Sequence, residues 1–271
     1  MALYAQPYPS MHQPHSAPVE HRFSPYSDNG GTILAIAGKD FSVIAGDTRQ
    51  SEGYSIQTRY ARKVFQLTDN AVLATNGFAA DGKNFVKQVK ERLEWYQHAH
   101  HKPMGLKAIA RMIQTMLYQK RFFPYYVYNI LGGIEEDGTG AVYSYDPVGS
   151  YEREACRAAG AAQSLIQPFL DNQIYFRNQT PAPNAEPFIP GNLPLATVLG
   201  LVIDSFTSAT ERHIEVGDAM EIYVVMKSGR EADDLLGDGM LASNVAVEEL
   251  GALGEGGGER TFLVSRSLKR D

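Results

Sequence analysis

The sequence is short of cysteine, of positive charge and of long apolar runs. Cys156 is the only cysteine in 271 residues. That excludes an internal disulfide framework and a cysteine-built zinc site, and it fits a reducing compartment. Lys and Arg number 25 against 31 Asp and Glu, a formal net charge of −6. A nucleic-acid backbone demands a dense cationic footprint that this balance does not supply. No stretch approaches the roughly 20 apolar residues of a membrane-spanning helix. Residues 1–21 have neither an early positive charge nor an apolar core, so they do not read as a secretory signal.

What is present is globular. Hydrophobic residues make up 44% and charged residues 21%, which is enough apolar material for a sizeable core. The length fits one large layered domain. Pro7, Pro9, Pro14 and Pro18 lie among Ser, Gln and His, a composition that does not pack. A loose tail and a removable pro-segment both fit residues 1–21, and composition does not separate them.

Strand patterns cover Thr32–Ile36 and Phe41–Asp47, with a turn at Gly38-Lys39-Asp40. A second hairpin joins Lys63–Leu67 to Ala71–Thr75. The period then changes. Phe85, Val89, Leu93 and Tyr96 recur at helical spacing, as do Leu106, Ile109, Ile113, Met116 and Leu117. Pro103 suits the break between these two helices. Strands return over Val127–Ile134, Gly140–Asp146 and Ser150–Ala158, followed by helices over Ala162–Leu170 and Leu195–Phe206 and a strand at Met220–Lys227. Blocks of strands and helices, rather than strict alternation, predict an α+β fold with antiparallel sheets covered by helices. Residues 228–260 are rich in Gly and acidic side chains and read as a flexible surface insertion. Gly254–Gly258 is no phosphate loop, because no strand feeds it and no Lys-Ser/Thr follows.

Candidate chemistry is sparse. His98, His100 and His101 cluster at a helix end. A shared metal needs ligands converging from one face, and exposed histidines at a fraying end explain the cluster more simply. There is no G-x-S-x-G elbow, and Cys156 reads as a small buried hydrophobe. The first hairpin is more suggestive. Gly31-Thr32 opens one strand, Asp47 closes the next and Lys63 begins another. A threonine at a chain terminus serves as nucleophile and base together, since its own α-amino group takes the hydroxyl proton. A nearby Lys lowers the relevant pKa and an Asp fixes the Lys. Plain structural ion pairs account for an Asp-x-Arg and a Lys on strands equally well.

The segments GGTILAIAGKDFSVIAGDTR (30–49), YARKVF (60–65), NGFAADG (76–82), RFFPYYVYNILGGIEEDGTGAVYSYDPVGSYERE (121–154), AGAAQSLIQPFLDNQ (159–173) and DSFTSATERHIEVGD (204–218) resemble proteasome β-type subunits. The resemblance spans about residues 20–227 and the terminal LKRD. It implies an N-terminal-nucleophile hydrolase fold, a four-layer α-β-β-α sandwich of two antiparallel sheets. It implies one domain over 22–271, carrying the insertion, and a pro-segment over 1–21 trimmed near Arg22. By the same resemblance Asp47 and Lys63 stand at the catalytic aspartate and lysine, and Gly77 at the oxyanion glycine. Gly31, however, occupies the nucleophile position, and His213 and Val216 stand where active members keep a supporting Asp and Ser.

The resemblance therefore implies a non-catalytic subunit of the 20S core particle, with Gly31, Asp47, Lys63 and Gly77 as vestigial positions and neither metal nor cofactor. Its implied partners are other α and β subunits in stacked heptameric rings, with unfolded protein substrates inside the chamber. No nucleic acid or membrane is implied, and the location is cytoplasm and nucleus. The alternative is a peptidase using Thr32. A one-residue shift along a strand turns a side chain to the opposite face, away from Lys63. A scaffold that recruits a partner through 228–260 is a further option. The aromatic run Phe122, Phe123, Tyr125, Tyr126 and Tyr128 suits either a subunit interface or the core.

Overall fold

A computed structural model describes residues 24–180, 189–227, 245–250 and 260–271. The chain opens with β1 (Thr32–Ala37) and β2 (Phe41–Asp47), then the short hairpin β3 (Gln50–Glu52) and β4 (Ser55–Thr58). β5 (Val64–Thr68) and β6 (Ala71–Gly77) follow, then helices α1 (Ala79–His100) and α2 (Leu106–Tyr118). Next come β7 (Val127–Ile134), β8 (Gly140–Tyr145), β9 (Tyr151–Glu154) and β10 (Cys156–Gly160). Helices α3 (Gln163–Gln173) and α4 (Leu195–Arg212) precede β11 (Ala219–Met226), β12 (Val245–Leu250) and β13 (Arg260–Ser267).

Two antiparallel sheets stack face to face. One runs β10-β1-β2-β11-β13-β12 and the other β5-β6-β7-β8-β9. Alternation along the strands builds three cores. In β1, Leu34 and Ile36 pack toward α3 and α4, whereas Ile33 and Ala35 face the second sheet. In β6, Ala71 and Leu73 lie under α1 and α2, whereas Val72 and Ala74 face the first sheet. Both faces of the central strands are thus covered, so they read as continuous apolar runs. The sheets approach closely at Gly132, where a Cβ would lie 2.5 Å from Ile44 Cγ1. This arrangement is the expected N-terminal-nucleophile hydrolase architecture.

Four details differ from the sequence reading, the first being that Met220–Lys227, read as the final strand, is followed by β13, which pairs with β11. The single strand expected over Ser150–Ala158 is two: β9 pairs with β8 in one sheet and β10 with β1 in the other. The chain crosses between the sheets at the half-buried Ala155, and no turn residue interrupts the extended run from Tyr151 to Ala158 to mark the crossing. The β3–β4 hairpin turns at Gly53, with φ at +59°, and its polar residues carry no apolar alternation. Lastly, residues 245–250 of the supposed flexible insertion pair along β13 as an edge strand. The tail at 1–21 and most of the rest of the insertion lie outside the described residues.

Candidate functional site

The site sits where the ends of β2, β5 and β6 meet the entry to β1. Antiparallel pairing of β1 with β2 and of β2 with β11 fixes Asp47 opposite Met220, at the end of its strand. Asp47 is 1% exposed and Lys63 is 8% exposed. The Lys63 ammonium donates to Asp47 Oδ1 and to the Asp47 carbonyl, each at 3.0 Å, and also to the Arg49 carbonyl. An ammonium has three protons, and all three are engaged. Burial pushes the Asp47 carboxyl up, against the opposing pull of Lys63 and of the Thr32 and Gly217 amides.

Gly31 lies against this pair. Its φ is +78°, and a Cβ placed on it would overlap Lys63 Cε, sit 2.5 Å from Nζ and lie 3.0 Å from Asp47 Oδ1. The lysine side chain thus fills the space that a side chain at position 31 would need. Thr32 donates its amide to Asp47 Oδ1 at 2.8 Å. Its hydroxyl instead accepts the Ala162 amide at 2.9 Å, at the start of α3. The Thr32 hydroxyl therefore belongs to the α3 side of the sheet, and Lys63 to the other.

Gly77 ends β6 with φ at +116°, and a Cβ there would come within 2.7 Å of the Tyr126 carbonyl. Only glycine takes this corner without strain. Val216 is fully buried in the core under α4, and His213 Nδ1 accepts the Glu215 amide at 3.3 Å. Neither has a polar bond to Gly31 among those described. The structure therefore brings Gly31, Asp47 and Lys63 together, and Lys63 and Gly77 both line a small adjoining cavity, about 30 Å³. Cys156 stands apart, fully buried, its thiol pushed up to about 12 by burial. His98, His100 and His101 are exposed at the end of α1; His101 is its left-handed cap and His100 stacks on Tyr96 at 4.2 Å. Among the described residues no group of three His, Cys, Asp or Glu is placed to hold a metal ion.

Several residues of the site were not singled out by the sequence reading. Arg49 is 2% exposed and binds Asp218 through Nε at 2.8 Å and Nη2 at 3.2 Å, while Arg59 also donates to Asp218. The Asp-x-Arg spacing was the available signal. Asn29 is buried beside Gly77, and Glu215 packs against Gly30. Nothing local in the sequence marks either one, since both act across long separations.

A family model described as "Proteasome subunit" matches residues 27–183. The chain belongs to the proteasome β-subunit family. It is 56% identical over 232 residues to the Saccharomyces cerevisiae protein named proteasome subunit beta type-6, covering 84% of this chain and 95% of that one. Proteasome subunit beta type-1 of Danio rerio is 50% identical over 217 residues, covering 79% and 88%. The Arabidopsis thaliana protein of the same name is 49% identical over 209 residues, covering 76% and 92%. These beta type-6 and type-1 relatives match along 88–95% of their own lengths and 76–84% of this chain.

Proposed function

We propose that this proteasome β subunit is a non-catalytic, structural member of the 20S core. Gly31 carries the reading: the nucleophile position has no hydroxyl, and Lys63 fills the space one would need. Asp47 and Lys63 then act as a buried structural pair. Removing one partner of such a pair strands the other charge, at a cost of about 3–5 kcal/mol. The subunit takes one place in each of two heptameric β rings, touches neighbouring α and β subunits, and walls the chamber in which sibling subunits cut unfolded protein. Residues 1–21 are a pro-segment removed near Arg22, and the particle works in cytoplasm and nucleus.

The rival, an active Thr32, requires a free amino group on Thr32 and a hydroxyl near Lys63. The Thr32 hydroxyl bonds to Ala162 instead, and misplacement of about 1 Å already costs around 10²-fold in rate. N-terminal sequencing of the mature chain from native particles decides between them. A terminus in the low twenties leaves Thr32 acylated and the structural reading standing. A terminus at Thr32 makes this chain a peptidase.

A further inference from the structure

The insertion between β11 and β13 supplies the strand at which the six-stranded sheet ends. Val245–Leu250 pairs with β13 along its whole length, from Val245 opposite Arg266 to Leu250 opposite Thr261. No strand among the described residues pairs with its other side. Alternate N–H and C=O groups of such an edge point outward without a partner, and over six residues that row is about 20 Å long. Ala246, Val247, Glu248 and Glu249 are all exposed, so side chains on both faces of the strand meet solvent. Neither the helices nor the second sheet cover it. Among Ala246–Leu250, only Leu250 packs against the core between the sheets.

Charge decides what such an edge accepts. Residues 228–260 hold eight Asp and Glu against Arg230 and Arg260, a net charge of −6. That equals the formal net charge of the entire chain, so the rest of the chain is neutral. Within β12, Glu249 is held by Arg260, through Nε at 2.7 Å and Nη2 at 2.9 Å. Glu248, opposite Leu263, has no ion-pair partner among the described residues.

Three kinds of strand fit an open edge: the chain's own flanking residues, a second copy, or a partner. The first two bring acid against acid. The flank before β12 carries Glu231, Asp233, Asp234 and Asp238. Antiparallel pairing of two copies centred on Glu248 and Glu249 sets four carboxylates side by side, and like charges directly opposite are destabilising. A basic strand meets no such penalty.

We propose that β12 is a docking edge for a basic, extended polypeptide segment of a partner protein, taken up by strand addition. Main-chain bonds along the edge hold the segment, and its Lys or Arg side chains meet Glu248 and the acidic flanks. Nothing in this inference depends on Gly31 or on whether the subunit is catalytic.

The test uses the full-length chain and a labelled octapeptide of alternating Lys and Thr. In the free chain alternate amides within Ala246–Leu250 exchange quickly with deuterium, and the octapeptide slows them about tenfold or more. A peptide of equal charge with two central prolines, which cannot donate along a strand, binds about tenfold more weakly. An octapeptide with Glu in place of Lys does not bind. Glu248→Lys weakens binding about threefold or more, and deletion of 229–258 abolishes it. Equal binding of the proline-interrupted peptide overturns the proposal, because charge alone then accounts for the association. Slow exchange at every amide of Ala246–Leu250 in the free monomer also overturns it, since the chain's own flank then covers the edge. A dimer of the free chain that is lost when 229–258 are deleted assigns the edge to a second copy and overturns it too. If the deletion variant does not fold, Glu248→Lys serves alone, and unchanged affinity there refutes the proposal.

Discussion

At the scale of single residues, the site is governed by what Gly31 leaves room for. A threonine at position 31 meets two obstacles. A non-glycine residue in the left-handed region costs about 1–2 kcal/mol, more when it is β-branched, and its Cβ lands on Lys63. Gly31→Thr is therefore predicted to create no peptidase activity and to lower stability by about 2 kcal/mol or more. Fluorogenic peptide hydrolysis and urea unfolding measure the two effects. Asp218 gives a pH signature. Burial alone would raise its carboxyl, but hydrogen bonds from Arg49 and Arg59 outweigh it and hold the group below the ordinary value. A depressed folded pKa stabilises above the unfolded value of about 3.9 and loses that contribution as pH falls through the folded pKa. Asp218→Asn should thus be less stable than the parent at pH 7, with the gap narrowing below about pH 4. Thermal midpoints across that range test it.

At the scale of elements, the loop between α2 and β7 divides its aromatic residues sharply. Tyr125 is 6% exposed and bonds Gln88, whereas Phe122 is 96% and Phe123 61% exposed. Tyr126 and Tyr128 are also exposed. Such a run has no period to separate inward from outward residues, so the sequence could offer interface or core but not assign either. Tyr125→Ala is predicted to cost about 3 kcal/mol through the cavity it leaves. The Phe122→Ser/Phe123→Ser pair should leave the isolated chain's unfolding midpoint nearly unchanged and reduce its incorporation into particles. Co-purification with sibling subunits reads the second effect. The insertion is a separate case. Met226 pairs with Arg260 at the open end of β11 and β13. Removing 229–258 joins Ser228 to Glu259 and leaves Lys227, Ser228 and Glu259 to span that pair, a length common in hairpins. The shortened chain should fold and assemble, with β13 as the new sheet edge. Loss of assembly would mean that the insertion has a structural duty.

At the scale of the whole molecule, three apolar layers among the described residues hold the two stacked sheets and the helices α1–α4 together. One lies between the sheets and one under each helix pair. Cys156 lies in the layer under α3 and α4 and reports on it. Its thiol, pushed up by burial to about 12, is predicted to react with an aromatic disulfide at pH 8 about 10³-fold more slowly than in urea, because reaction waits on opening. Reaction at the rate of an exposed thiol would show that β10 opens locally.

The sequence by itself determined the order of the main strands and helices, because the helical faces repeat at a countable period and the central strands are short apolar runs between turns. The same holds for the Gly31, Asp47 and Lys63 positions, since a motif match carries register. Only the tertiary structure decided how Lys63 fills the space at Gly31, how the run from Tyr151 to Ala158 divides between two sheets, and how Asn29 bonds to Gly77 and Ser51 and caps α1. Those outcomes depend on groups brought together from distant parts of the chain, and no local pattern of residues encodes such a meeting.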